Sequence, residues 1–339
     1  MNWDSIIGHT VTIANLRAML QADRMPHALL FAGPEGVGKM LTAGVLSAAL
    51  LCESADKPCG RCPSCRQFAQ NNHPDFSLIR PEGASIRIEQ IRALQHQVSL
   101  VPYLGDRRVV VIENSDKMTT QAANSLLKVL EEPPGHAVFI LVTARRQMLL
   151  DTIISRCLTV GFQAQPWQEL LAALVAKGYP AREAEVAVRL GNGKMGTALG
   201  LLEPDGLRIR DQAFALVAAL TDTRGQALWT LPEELEKYTR QDVLELLHYV
   251  TLLLRDVLVY RVNREQSLLF NIDLAGQLAE QALYWEETAL LAAFGRIRQA
   301  ERALTGNGNI RLVLEALLIH IMEMMKGGQH FASSSGSAI

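Results

Sequence analysis

No apolar run in the 339 residues is both long enough and free enough of charge to span a bilayer. The opening Met1-Asn2-Trp3-Asp4 lacks the basic residues and apolar stretch of a secretory leader. Net charge is almost absent: 33 Lys and Arg against 35 Asp and Glu leave −2. A protein held to nucleic acid chiefly by bulk charge needs an excess of cations, so that class is excluded as the main activity. A local basic face stays open. No internal repeat is visible. The expectation is a cytoplasmic protein without a membrane partner, built from two or three domains of about 100–200 residues each. Hydrophobic content of 49% is ample for their cores.

The stretch richest in chemistry also lacks something. Gly33-Pro34-Glu35-Gly36-Val37-Gly38-Lys39-Met40 follows the pattern G-x-x-x-x-G-K-[ST] in all but its last residue. In that pattern backbone N–H groups cradle phosphates, the Lys reaches the β- and γ-phosphates, and the hydroxyl holds Mg²⁺. The thioether of Met40 cannot bind a hard cation. Thr42 cannot replace it, because two residues on it points to the far side of the following helix. The flanks fit a P-loop: His27–Phe31 reads as a buried strand and Leu41–Leu51 as a helix.

Directly after that helix come Cys52, Cys59, Cys62 and Cys65, spaced C-x6-C-x2-C-x2-C. Four thiols this close in a reducing compartment predict a structural, tetrahedral Zn²⁺ site with no open position for chemistry. An iron–sulfur run would place its fourth Cys where Ala69 stands, and two disulfides suit the compartment less well. A zinc-dependent nucleic-acid module would need a basic knob. Here Lys57, Arg61 and Arg66 are offset by Glu53 and Asp56.

Further along, Asp75–Ile79 predicts a strand, Ile86–Leu100 a helix, and Arg108–Ile112 a strand buried on both faces. That strand runs into Glu113-Asn114-Ser115-Asp116. A P-loop ATPase carries there an Asp for Mg²⁺ and commonly a Glu that activates water. Glu113 could replace the Asp at one methylene longer reach, but Asn114 cannot take a proton. A helix over Gln121–Leu130 is closed by Glu131-Glu132-Pro133-Pro134, and the strand Ala137–Val142 ends at Thr143. Thr143 is either a sensor of the γ-phosphate or a hydroxyl capping a turn. Ser155-Arg156-Cys157 and a short strand to Phe162 complete a three-layer α/β unit, with Cys157 read as a small packing residue rather than a fifth ligand.

Beyond Gln165 the chain predicts helices only. The boundaries expected are 1–164 for the P-loop domain with its inserted cysteine module at 52–65, then 165–205 for a helical lid. An all-helical domain over 206–327 and a disordered tail over 328–339 complete the chain. Leu244, Leu247, Val250, Leu253 and Leu254 form one apolar stripe, and Leu312, Leu314, Leu317, Leu318 and Ile321 another. Such stripes serve as core or subunit interface.

The P-loop, the cysteine module, Ala123-Asn124-Ser125-Leu126-Leu127-Lys128-Val129-Leu130-Glu131-Glu132-Pro133-Pro134 and Ser155-Arg156-Cys157 together resemble the bacterial DNA polymerase III clamp-loader subunits of the AAA+ class. Within the family the chain looks most like the delta-prime type, because Met40 and Asn114 lack the groups for hydrolysis. Gly196 also falls where an active subunit offers an arginine from its lid. The alternative is an ATP-hydrolysing gamma/tau-like motor that tolerates both changes. The resemblance implies a pentameric ring with gamma/tau and delta subunits, joined by a helical collar, that loads a sliding clamp onto primer-template DNA. It implies that Ser155 and Arg156 present an arginine finger to a neighbour's ATP. Gly33, Gly36, Gly38, Lys39, Glu113 and Thr143 become a degenerate nucleotide site, in which binding of ATP or ADP without hydrolysis stays open.

Overall fold

Five apolar runs assemble into one sheet: Ala28–Ala32 (β1), Phe76–Ile79 (β2), Arg108–Ile112 (β3), Ala137–Thr143 (β4) and Leu158–Gly161 (β5). Their order is β2-β3-β4-β1-β5, and every pairing is parallel. The computed structural model describes residues 2–221 and 238–334, with side chains of the last helix as far as residue 325.

Successive side chains of a strand point to opposite faces. Leu29, Phe31, Val109, Val111, Ile140 and Val142 face one way. They meet Leu16 of α1 (Thr10–Gln21), Val45 and Leu46 of α2 (Lys39–Leu51) and Phe68 of α3 (Pro63–Ala69). Leu30, Val110, Ile112, Phe139 and Leu141 face the other way. There they meet Ile91 and Leu94 of α4 (Ile88–Val98), Leu126 and Leu130 of α5 (Thr120–Glu131), and Ile153 of α6 (Asp151–Ile154). Cover on both faces is why β3 and β4 read as unbroken apolar runs. The three-layer α/β architecture expected from the sequence is the one observed.

At one edge of the sheet, a buried carboxylate fixes an exposed loop. Asp75, with no exposed surface, accepts from the backbone N–H of Tyr103 at 2.7 Å and of Leu104 at 2.8 Å. Arg108 Nη2 lies 3.3 Å from the same carboxylate. These charge-assisted bonds offset the desolvation of both ions. Val101 and Tyr103 thus stand 82% and 80% exposed on a loop whose backbone is held. Asp75→Ala would leave Arg108 buried without its counter-charge, and the expected loss of stability is about 3–5 kcal/mol. A urea melt checks this; a loss near zero would contradict the account.

By contacts the chain divides into two units. The first comprises residues 1–181 with 191–198, the second 182–190 with 199–339. The helices of the lid expected over 165–205 fall on both sides of this division. Of its helices, α7 (Trp167–Ala176) lies in the first unit and nearly all of α8 (Ala181–Leu190) in the second. The last, α9 (Met195–Leu201), is shared between the two.

In the second unit, helices Arg208–Thr221, Arg240–Asn263, Ala275–Gln281, Glu287–Thr305 and Ile310–Ser334 pack around Leu247, Val250, Leu253, Leu290 and Leu304. Leu314, Leu317, Leu318 and Ile321 are buried as expected, whereas Leu312 is 65% exposed. The helical region expected here is interrupted after Asn263, where Arg264 is left-handed and short 3₁₀ turns follow. Buried Asp256 pins that break, accepting from the N–H groups of Phe270 and Asn271 and from Asn271 Nδ2. Helix also continues through Ser334, into the stretch from 328 expected to be a disordered tail. The expectations for 222–237 and 335–339 lie outside the described residues.

Candidate functional site

Three loops leave the carboxyl ends of adjacent strands β3, β4 and β1, where parallel α/β sheets commonly bind ligands. The first, after β1, is the P-loop. Gly33 has φ +157°, and a Cβ there would lie 2.1 Å from the Phe162 carbonyl oxygen, so only glycine fits. Lys39 opens α2, but its Nζ turns back to donate to the carbonyls of Gly33 at 2.7 Å and Pro34 at 2.5 Å. It is 7% exposed. Burial lowers its pKa against the attraction of Glu35 and Asp116. Thr42 is fully buried and donates to Gly38 O at 2.9 Å, so it is committed to its own helix. Met40 packs on the apolar core.

The start of α9 lies on this loop. Gly196 N–H donates to Gly36 O at 2.8 Å, and a Cβ on Gly36 would meet Thr197 Oγ1 at 2.9 Å. Two further residues, unnoticed in the sequence, fasten the arrangement. Gln165 N–H donates to Gly193 O at 2.9 Å, and its side-chain Oε1 accepts from His9 N–H. The His9 ring lies with Nε2 2.9 Å from Val37 O and Nδ1 3.3 Å from Gln165 Nε2. Carbonyls only accept, so His9 Nε2 donates, and Nδ1 accepts from the Gln165 amide. Nothing in the local pattern around His9 or Gln165 signals a bond across 156 residues.

The groups after β3 and β4 are paired as well. Glu113 Oε2 accepts from Arg80 Nε at 2.8 Å. Asn114 adopts φ +49°, a left-handed turn that Asn tolerates better than most residues. Thr143 Oγ1 donates to Asp116 Oδ1 at 2.8 Å and accepts from Arg145 N–H at 2.9 Å. The bond from Arg145 N–H is a turn contact that either role of Thr143 allows. Arg145 Nε reaches Asp116 Oδ2 at 2.9 Å. Burial alone would raise the Asp116 carboxyl, but the bonds from Thr143 and Arg145 outweigh it and hold the pKa below its usual range.

Ser155 and Arg156 follow α6. Ser155 Oγ donates to Thr152 O at 3.1 Å, an end cap on a one-turn helix. Arg156 Nη1 donates to the same carbonyl at 3.0 Å, and Nη2 to Glu131 Oε1 at 2.6 Å. The arginine side chain is 35% exposed. Cys157 packs against the core, and burial pushes its thiol up to about 11.

The four remaining cysteines converge. Their sulfurs all lie within 4.8 Å of one another, with Cys52 and Cys62 4.0 Å apart. Tetrahedral Zn–S bonds of about 2.3 Å set sulfurs about 3.8 Å apart, so a small contraction closes the set around an ion. Backbone N–H groups of Cys59, Cys62 and Cys65 point at the sulfurs of Cys52, Cys59 and Cys62, each at 3.4 Å. Amides of Arg61 and Cys62 pull the Cys59 thiol down to about 6, while burial pushes Cys65 up to about 12. A cation at the centre would ionise all four.

The module is tied to the sheet by a histidine. Asp75 N–H donates to His73 Nδ1 at 3.1 Å, so Nε2 carries the proton and faces Ser64 Oγ at 2.9 Å. Ser64 in turn donates to Leu51 O at 2.6 Å, satisfying an end carbonyl of α2. Burial lowers the His73 pKa, against the attraction of Asp75 and Glu53. A folded pKa below the unfolded ~6.5 means the unfolded chain binds the proton first. The stability held by neutral His73 is therefore complete above about pH 6.5 and falls on acidification, with a slope of at most about 1.4 kcal/mol per pH unit. Urea midpoints from pH 7.5 to 5.5 should fall more steeply in wild type than in His73→Gln. Equal slopes would contradict it.

No helix among the described residues is long and apolar enough to cross a membrane. A family model described as the delta subunit of DNA polymerase III matches residues 8–166, and one described as its C terminal matches 210–323. The delta-prime subunit of DNA polymerase III from Bacillus subtilis is 30% identical over 308 residues, covering 90% of this chain and 93% of its own length. The delta-prime subunit from Escherichia coli K12 is 30% identical over 321 residues, covering 92% and 94%. The tau subunit from Salmonella typhimurium is 31% identical over 255 residues, 68% of this chain but 39% of its own.

Proposed function

Because this chain belongs to the delta-prime subunits of DNA polymerase III, sharing 30% identity with one of them over 90% of its length, we propose that it acts in a cytoplasmic clamp loader as a subunit that does not turn over ATP itself. Its partners in this reading are gamma/tau and delta subunits, and through them the sliding clamp and primer-template DNA. Arg156, set by Ser155, reaches a neighbouring gamma/tau subunit's ATP. There a guanidinium stabilises charge on the transferring phosphoryl group. The four cysteines hold a structural zinc ion.

One observation carries the reading. Side chains that a nucleotide would recruit are already partnered within the chain: Lys39 with two P-loop carbonyls, Glu113 with Arg80, and Thr143 with Asp116. The loop that would cradle phosphates carries the start of α9 at Gly36. A phosphate would have to draw Lys39 away from those two carbonyls before it could be bound, and with Met40 in place Mg²⁺ would still lack its hydroxyl. Hydrolysis would also lack a base at Asn114.

A fluorescent-nucleotide titration of the purified chain tests this, with ATPase measured in parallel. The expected result is no saturable binding up to millimolar ATP or ADP and no Mg²⁺-dependent turnover. Turnover by the lone chain would favour the motor reading instead.

A further inference from the structure

Two acidic residues end α5, at Glu131 and its cap Glu132. The carboxyl end of a helix carries partial negative charge, so helix physics disfavours an acid there. Glu131 nevertheless has a defined partner 25 residues away, the Nη2 of Arg156 at 2.6 Å. The opposite corner of the guanidinium, Nη1, is held by Thr152 O at 3.0 Å. A long side chain that would otherwise sample many rotamers is thus tethered at two points while 35% of it stays exposed.

We propose that Glu131 is a positioning residue for the arginine finger, holding Arg156 in one pre-ordered conformation before the neighbour's ATP arrives. This rests on the reading of Arg156 as a finger donated in trans. The opposite sense, a clasp that withholds the finger, requires a contact able to compete with a triphosphate. A half-exposed pair is too weak for that, since Glu131 is 49% exposed and solvent screens it. A tether that only removes disorder needs no such strength. Orientation of this kind matters because displacing a catalytic group by an ångström can cost about 10²-fold in rate.

The test uses the assembled complex of this chain with its cognate gamma/tau and delta subunits, clamp and primed DNA. Steady-state ATPase is measured for wild type, Glu131→Ala, Glu131→Gln, Glu131→Lys and Arg156→Ala. Assembly is followed by gel filtration. Glu131→Ala should lower kcat roughly tenfold with KM for ATP little changed, because the finger acts on the transition state. Glu131→Gln keeps an acceptor for Nη2 and should recover to within about threefold of wild type. Glu131→Lys repels the guanidinium and should approach Arg156→Ala. A purely structural role would instead alter assembly or melting temperature and would not be rescued by Gln. If Glu131→Ala raises kcat, the contact withholds the finger and the positioning role is overturned. An unchanged kcat overturns it equally. If Arg156→Ala itself has no effect, the finger reading fails, a result separate from any behaviour at position 131.

Discussion

Arg156→Ala in the assembled complex is expected to reduce clamp- and DNA-stimulated ATP turnover by about 10³-fold or more, the scale on which an arginine supplied in trans acts. That corresponds to about 4 kcal/mol or more of transition-state stabilisation. Folding should be nearly untouched. The half-exposed pair with Glu131 contributes little to stability, and Ser155 still caps α6 without the guanidinium. The measurement is single-turnover hydrolysis by the complex, with thermal melting of the isolated subunit as control. A variant that assembles and hydrolyses like wild type would sink the trans role. One that unfolds would show the arginine to be structural.

Disrupting the cysteine site is expected to have the other large effect, on folding rather than on turnover. Structural zinc in small modules contributes roughly 10–16 kcal/mol of apparent binding free energy at neutral pH, and that energy is folding energy. Cys62→Ser should therefore purify without stoichiometric zinc and lose order over residues 52–65. Trp3 offers a local reporter, since it is 7% exposed and its Nε1 donates to Lys57 O at 2.9 Å inside the module. Its fluorescence should shift on zinc removal, and Trp3→Phe should abolish the shift. Far-UV circular dichroism of the sheet and its helices should persist, because Val45, Leu46 and Ala49 anchor α2 in the core beneath the sheet. Wild-type protein that contains iron, or that is equally stable when metal-free, would overturn the zinc assignment.

Much of the first unit is legible in the sequence, because its signals are local. Runs such as Val109–Ile112 and Ala137–Val142 are apolar throughout because both faces are covered, and such runs have few other uses. The cysteine spacing likewise declares its convergence. What escapes are groups whose partners lie far along the chain. Arg80 looks like any exposed arginine until it meets Glu113, and Gln165 looks like linker until it meets His9. Thr143 fits two roles in sequence, and neither reading foresees its bond to Asp116. The division of α7, α8 and α9 between two contact units is likewise not signalled by their local patterns. Glu131 stands in plain sight within its motif. Only the distance to Arg156 gives it a part.

The bond from Gly196 to Gly36 has a consequence for reversal. Met40 invites the idea that a single change to Thr would revive an ancestral motor. Such a change would supply the Mg²⁺ ligand to a loop still tied to α9 at Gly36, still bonded to its own lysine, and still without a base at Asn114. Met40→Thr alone is expected to bind no nucleotide and to hydrolyse none. In the proposed reading, turnover would return only with all of these changes made together.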